Sequence, residues 1–346
     1  MLELLKELCA LDGVSSCEND VRDFIFNKIK GYADDVKIDA LGNLIVFKRG
    51  EKATGNQLLL SAHMDEVGII VTNITERGLL KFDFVGGVDR RVAIGKSVSI
   101  GSKHIPGVIG TKGIHLVGQD ERKTVPQLDN LYIDIGATDK KMAESMVELG
   151  DCGAFVCTPD VFGNNLFKAK AIDDRIGCAV LISLLQEKLP LDVTFAFTVQ
   201  EEVGTRGAFG TAFSVCPKIA LVLEGTTAAD IPSVKKQHCR VCAPGCGPVI
   251  SYLDGGTAYD IDLFKQLRDL ADENNIPWQT KKYLSGGNDS SAIQRSKAGV
   301  RVAAISAAVR YLHAPVSVGC VDDFDNMLKL SRLFLNKMAC QLDEKE

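Results

Sequence analysis

The sequence predicts an α/β protein, a mixed sheet with helices on both faces, carrying a small inserted β-barrel. Two textures predict it. Towards both ends of the chain, segments of helical periodicity alternate with short apolar runs, the pattern of a sheet covered on both faces. From about Val67 to Phe162 the chain turns instead to closely spaced β-type runs punctuated by glycine, which suggests a small barrel or sandwich. The expected division is a discontinuous α/β domain, residues 1–66 and 163–346, around an inserted domain, residues 67–162.

Taken in order, Met1 to Asp12 is amphipathic, and Ser15 and Ser16 then offer an N-cap ahead of Glu18 and the helically spaced Val21, Phe24, Ile25 and Ile29. Val36 to Ile38, Leu44 to Phe47 and Leu58 to Leu60 are apolar runs too short for helices and read as strands. Within the insert, Leu79 to Val85, Ser97 to Ile100 and Gly107 to Ile109 read as strands, with one helix around Lys140 to Leu149. Beyond it, Arg175 to Glu187, Phe264 to Asn274 and Asp322 to Leu342 have helical spacing, whereas Val193 to Thr198, Ala220 to Leu223 and Val302 to Ile305 read as strands.

At 346 residues the chain can bury a large core, and its 46% hydrophobic and 25% charged residues are those of a globular protein. A net charge of -5 lacks the electrostatic footprint of a protein that binds nucleic acid or anionic membrane. The first residues lack a basic start and an unbroken apolar stretch, and no segment approaches the ~20 apolar residues of a membrane helix. The expectation is a cytoplasmic protein with no nucleic-acid or membrane partner. The 11 cysteines are scattered, as reduced thiols would be. One cluster, Cys239, Cys242 and Cys246 beside His238, has spacings compatible with a zinc or redox site, but without a second CxxC it reads as a loop whose cysteines act as small hydrophobes.

The chemistry lies in five short motifs. The run Leu58 to Leu60 leads into Ser61-Ala62-His63-Met64-Asp65, and in an extended chain His63 and Asp65 point to the same side, so the carboxylate can fix the tautomer of a metal-binding ring. Ala171-Ile172-Asp173-Asp174-Arg175 sets two carboxylates where a loop becomes a helix; capping alone would explain them. Glu201-Glu202 follows the strand Val193 to Thr198, and Glu224 follows Ala220 to Leu223, both at carboxyl ends, where open α/β sheets bind ligands. Finally the apolar stretch Val300 to Val309 runs into Arg310-Tyr311-Leu312-His313. Each motif has a bland explanation alone. Together they deliver His, Asp and Glu to one rim.

Two divalent ions about 3.5–4 Å apart need a bridging carboxylate and further N or O donors on each. The inventory matches, with Asp173 as bridge, His63 and Glu202 on one ion, and Glu224 and His313 on the other. Glu201 is left over, in the position that a general base requires, to take a proton from the attacking water and deliver it to a leaving amine. Zn2+, Co2+ and Mn2+ all suit such donors.

With these motifs in place, the chain resembles the tetrahedral aminopeptidase family, the glutamyl and leucyl aminopeptidases with a co-catalytic metal pair, some of which carry an endoglucanase label. The resemblance runs through Ala40 to Leu44, Ser61 to Gly68, Val85-Gly86-Gly87, Gly107 to Gly110, Tyr132 to Ala137, Ala171 to Gly177, Glu201 to Ala208, Gly286-Gly287-Asn288-Asp289 and Arg310 to His313. It implies a β-barrel insert that mediates oligomerisation, often into a dodecamer, and release of N-terminal residues from short peptides by metal-activated water. It implies His63, Asp173, Glu202, Glu224 and His313 as metal ligands, Glu201 as base, Asp65 as the partner of His63, and Gly286, Gly287 and Asp289 in substrate binding. The chain departs from the family at Glu224, where Asp is more common, at Ser15-Ser16-Cys17-Glu18, where Ser-Gly-x-Glu is common, and at Asn288, which replaces a frequent Thr.

The rival readings are weaker. A two-metal carboxypeptidase or N-acyl amino acid deacylase usually carries its extra domain after the paired glutamates, whereas here the insert falls between His63 and Asp173. A glycoside hydrolase has no use for two histidines and a metal bridge, and the single Trp, Trp278, offers little aromatic platform. A non-catalytic metal scaffold would have no need of Glu201.

Overall fold

The computed structural model describes residues 1–232, 234, 241–281, 284 and 286–342. Its main sheet has seven strands in the order Asp35–Ile38, Leu44–Lys48, Val193–Thr198, Leu58–His63, Ile219–Thr227, Arg301–Val309 and Val249–Ile250. Four are parallel to one another: Val193–Thr198, Leu58–His63, Ile219–Thr227 and Arg301–Val309. The flanking strands Leu44–Lys48 and Val249–Ile250 pair antiparallel. Every residue of Leu58–His63 and of Val193–Thr198 is buried. This is why those stretches read as unbroken apolar runs: parallel strands are covered on both faces. The helix Ile172–Leu185 packs on one face and is buried on nearly all sides, so beyond Arg175 its sequence is almost wholly apolar rather than striped.

The middle of the chain forms a closed six-stranded barrel, in the order Gly68–Ile74, Leu80–Val85, Tyr132–Asp134, Ile105–Gly110, Ser97–Ile100 and Cys152–Phe155. Its interior is a separate apolar cluster that includes Ile69, Leu80, Phe82, Ile100, Ile109, Ile133 and Phe155. Strand tilt and stagger close such a barrel, and the inward apolar residues fill it. A third sheet pairs Asp160–Phe162, Leu166–Ala169 and Ser317–Cys320.

The strands expected in the main sheet are present, and most run longer than the apolar residues alone indicate. Ile219–Thr227 continues three residues beyond Glu224, which therefore lies within a strand and not at its end. The chain opens with the helix Leu2–Ala10, and the next helix, Asn19–Ile29, starts from Glu18 without a side-chain cap, so neither Ser15 nor Ser16 caps it. A helix at Arg206–Val215 is not foreshadowed by the sequence, because Gly207 and Gly210 lower its propensity and Phe209 and Phe213 are exposed. His238 and Cys239 of the cysteine cluster lie outside the described residues. Cys242 is buried and donates its thiol to the carbonyl of Thr227 at 3.2 Å, while Cys246 is exposed. Among the described residues no helix is long and apolar enough to cross a membrane.

Candidate active site

The carboxyl edge of the parallel strands carries the titratable groups. His63 closes its strand in register with Thr198, so Glu201 and Glu202 emerge beside it in the turn that follows. Asp173 and Asp174 open the helix Ile172–Leu185 and have non-helical backbone angles there. The two divide the labour. Asp174 Oδ1 accepts the N–H of Gly177 at 2.9 Å and Oδ2 the N–H of His63 at 3.2 Å, which is capping and anchoring. Asp173 Oδ1 accepts the N–H of Gly225 at 3.0 Å, and the carboxylate turns towards the two imidazoles.

His63 Nε2 lies 3.5 Å from Asp173 Oδ1 and 3.6 Å from Glu224 Oε2. His313 Nε2 lies 3.1 Å from Glu202 Oε2 and 3.9 Å from Asp173 Oδ2. Asp173 is thus shared between two donor groups. The expected grouping put His63 with Glu202 and Glu224 with His313; leaving aside Asp65 and the shared Asp173, the close ring-to-carboxylate approaches are His63 to Glu224 and His313 to Glu202. Spacing along the chain carries no information on such pairing, which is set by how adjacent strands face each other. Donor atoms of His63, Asp173 and Glu202 also come within 4.8 Å of one another, as do those of His63, Asp174 and Glu224.

Asp65 is fully buried beneath this group. It accepts the hydroxyl of Ser15 at 2.6 Å and the N–H groups of Glu201 and Glu202 at 2.9 and 3.1 Å, and its Oδ1 is 3.3 Å from His63 Nδ1. With Nδ1 also 3.1 Å from the Asp65 carbonyl, the ring proton is held on that nitrogen and Nε2 is left as the donor atom. Glu66, next in sequence, turns away and forms an ionic layer below: its Oε1 accepts Lys170 Nζ at 2.6 Å, Arg175 Nη2 at 3.2 Å and the N–H of Gly13 at 3.0 Å. Sequence reasoning gave Glu66, Lys170 and Arg175 no role and Ser15 only that of a helix cap. The adjacency of Glu66 to Asp65 was the available signal.

Glycines let the backbone come close. A Cβ on Gly225 would stand 2.7 Å from Asp173 Cβ, and one on Gly87 3.2 Å from His313 Nδ1. The pair Gly86-Gly87, just after a barrel strand, is therefore where the insert meets the site. Over the group opens a cavity of about 540 Å³, lined among others by Glu201, Glu224, Ile231, Gly286, Gly287 and Tyr311. Asn288 lines it too, but Asp289 does not. It is fully buried, and its Oδ2 accepts the hydroxyl of Thr198 at 2.6 Å, so it stands behind the site and not on its wall.

Burial, reinforced by Asp289, Asp173 and Asp65 against the pull of His63, pushes Glu201 up to about 8. Burial and neighbouring carboxylates likewise hold Glu202 and Glu224 well above the usual range. Burial opposes a charge on His63, but Glu224, Asp173 and Asp65 outweigh it and raise its pKa well above the ordinary imidazole value. So many acidic groups around two rings is an arrangement that positive charge would relieve. Glu224 Oε1 is buried with no hydrogen-bond partner among the described residues, a lone pair in search of a cation. The donor set, imidazole nitrogen and carboxylate oxygen, suits divalent first-row metals.

Comparison with known proteins bears on what such a site does. Residues 42–330 match the family of M42 glutamyl aminopeptidases. A lysyl aminopeptidase of Pyrococcus furiosus is 29% identical over 353 residues, spanning 97% of this chain and 97% of that protein. An aminopeptidase from the archaeon Desulfurococcus kamchatkensis has the same fold with a TM-score of 0.92 and 34% identity, over 97% of this chain and 94% of that one. The TET1 peptidase of Pyrococcus horikoshii, which can assemble into a tetrahedron or a large octahedral shell, gives a TM-score of 0.84 at 34% identity, over 96% and 98% of the two chains. The chain belongs to the M42 glutamyl aminopeptidase family and is a metal-dependent aminopeptidase.

Proposed function

We propose that the protein releases N-terminal residues from short peptides at a two-metal centre held by His63, Asp173, Glu202, Glu224 and His313, with Glu201 as general base. The observation that carries this reading is the position of Asp173 between two imidazole–carboxylate pairs, His63 with Glu224 and His313 with Glu202. Bound there, Zn2+, Co2+ or Mn2+ would polarise the scissile carbonyl and lower the pKa of the attacking water towards ~7. The chain supplies the rest. Glu201, beside the cavity and not needed as a ligand, takes the proton of the water and returns it to the leaving amine. Asp65 keeps His63 in one tautomer and fixes the turn that carries Glu201. Burial of Glu224 and His63 strengthens the interactions between charges in the site.

The substrate's free amine fits a cavity walled by carboxylates. Self-association through the barrel is part of the same proposal, supported by the exposed apolar Val108, Ile114 and Leu116 of the insert and by the shells that the TET1 relative forms. A peptide mixture and its N-acetylated twin, each incubated with metal-stripped protein reloaded with zinc, cobalt or manganese, tests the reading by mass spectrometry. Stepwise, metal-dependent loss of N-terminal residues from the free peptides alone is expected. Cleavage from C-termini or removal of the acetyl groups would overturn it.

A further inference from the structure

Gly286, Gly287 and Asn288 form one wall of the active-site cavity, and a tight loop braces that wall from behind. Leu253 and Ala258 pair across the base of the loop, and Asp254 folds its tip, Oδ1 accepting the N–H groups of Gly256 and Thr257 at 2.8 and 2.7 Å. The tip then meets the wall. The N–H of Gly255 donates to the Gly286 carbonyl at 2.8 Å, and a Cβ on Gly255 would stand 2.6 Å from that oxygen. A second tie runs through side chains. Asp254 Oδ2 accepts the phenol of Tyr259 at 2.6 Å, and the phenol oxygen accepts Asn288 Nδ2 at 3.1 Å. Asn288 Oδ1 in turn accepts the N–H of Ser290 at 2.9 Å. Asp254, Tyr259 and Asn288 are all buried. Burial and the Asp254 carboxylate raise the Tyr259 pKa well above its ordinary value, so the phenol stays a donor. The next residue, Asp289, is gripped by Thr198, which ends the strand leading to Glu201.

We propose that Asp254, Tyr259 and Asn288 are positioning residues for the peptide substrate, holding the Gly287 peptide unit where the substrate main chain hydrogen-bonds to it. The inference rests on the reading of this cavity as the peptide site. Gly286 and Gly287 are exposed, and among the described residues neither the N–H nor the carbonyl of Gly287 has a hydrogen-bond partner. A donor and an acceptor held side by side on a cavity wall match the main chain of an extended peptide. The network also gives Asn288 a use. A threonine here would have one polar atom, a bond nearer the backbone, for the two partners that Asn288 meets with separate atoms. None of the three side chains belongs to the imidazole–carboxylate group, so their loss should weaken substrate binding and spare the chemistry.

Tyr259→Phe removes the hydroxyl and keeps the ring. In the metal-loaded full-length protein, assayed on Leu-Gly-Gly, Glu-Gly-Gly and Lys-Gly-Gly, it should raise KM about 2–10-fold, the effect of one misplaced hydrogen bond. At the same time kcat and metal content should stay at the parent level, the split that marks lost binding. Gly255→Ala presses on the Gly286 carbonyl without touching Tyr259 and should give the same split, which keeps the test open if Tyr259→Phe folds poorly. Because Tyr259 acts through Asn288, Tyr259→Phe combined with Asn288→Ala should raise KM no further than Asn288→Ala alone. A role in stability alone would lower the melting temperature and the active fraction with KM unmoved; the parent KM in either folded variant would overturn the proposal. So would KM effects that multiply in the double variant. If the parent itself releases no N-terminal residue from any of the three peptides, the reading of the cavity falls and the proposal with it, whereas an active parent matched in KM by the variants removes the positioning role alone.

Discussion

Asp65 Oδ1 accepts the backbone N–H of Glu201 at 2.9 Å, so the carboxylate that orients His63 also sets the turn bearing the proposed base. Its other oxygen is taken by Ser15 at 2.6 Å and by the N–H of Glu202 at 3.1 Å. One buried group thus ties three elements to one geometry: the end of the strand Leu58–His63, the turn after Val193–Thr198 and the opening segment. Burial opposes its ionisation, but His63, Ser15 and the two N–H groups prevail and hold Asp65 below the usual carboxylate range.

Asp65→Asn should therefore be severe despite its near-identical shape. The amide nitrogen would confront N–H or O–H donors where an acceptor is required, and the ring would lose its anionic partner. Metal affinity is expected to fall roughly 10–100-fold, measured by titrating stripped protein with zinc, together with a loss of kcat. Wild-type affinity and turnover would show that the Asp65 carbonyl, 3.1 Å from Nδ1, orients the ring unaided.

Glu201→Gln separates base from ligand. The amide keeps the volume and cannot take a proton, so kcat should drop by about 10²–10⁴ while metal content, read by elemental analysis, stays at the wild-type level. Asp173→Asn should do the reverse, losing metal because the shared carboxylate between the two imidazoles is gone. A variant at Glu201 that turns over normally would end its assignment as base.

Glu66→Ala tests the ionic layer under the site. It would leave Lys170 and Arg175, respectively 4% and 0% exposed, without their shared carboxylate. Removing one partner of a buried ionic group costs about 3–5 kcal/mol. Urea denaturation should register a loss of that order; a change under ~1 kcal/mol would mean that Asp12, 3.3 Å from Lys170, and the carbonyls of Leu8 and Leu11, which accept from Arg175 and Lys170, suffice.

Chelation should destabilise the fold as well as silence the enzyme. The acidic groups of the site, crowded and buried, are tolerated better when divalent cations balance them, and an ion that binds only the native state stabilises it by about 2.7 kcal/mol at a hundredfold excess over Kd. The melting temperature should fall on stripping and recover with zinc, cobalt or manganese. An unchanged melting temperature would argue against tight binding to the native site.

Much of this site was legible because its residues stand where parallel strands end, and apolar runs that stop at His63 and Thr198 mark those points without any knowledge of their neighbours. Less legible was anything set by tertiary contact. Ser15 looks like a helix cap, since a serine before a helical pattern usually is one, yet its hydroxyl reaches Asp65 across 50 residues of sequence. Asp289 looks like a wall of the substrate cavity and is instead sealed behind Thr198. The helix Arg206–Val215 escaped notice because its glycines and exposed phenylalanines blur its periodicity. Which histidine faces which glutamate depends on strand register and not on spacing.

Gly225 offers the sharpest test of how closely the site is built. Its N–H donates to Asp173 Oδ1 at 3.0 Å, and an added Cβ would stand 2.7 Å from Asp173 Cβ and 2.8 Å from Oδ1, distances that carbon atoms do not tolerate. Gly225→Ala must push Asp173 out of the position between His63 and His313, and overpacking of this kind costs about 1–3 kcal/mol. Stability should fall by that modest amount, whereas metal binding and kcat should fall much further, because the shared carboxylate moves relative to both rings. Gly210→Ala is the matched control. It sits in the helix Arg206–Val215 with nothing within 4 Å of the new methyl, and should leave activity intact while stabilising the helix by roughly 0.5–1 kcal/mol. If both variants bind metal and turn over as the parent does, Asp173 has room to adjust and the tight packing between strand and bridge is not what fixes the centre.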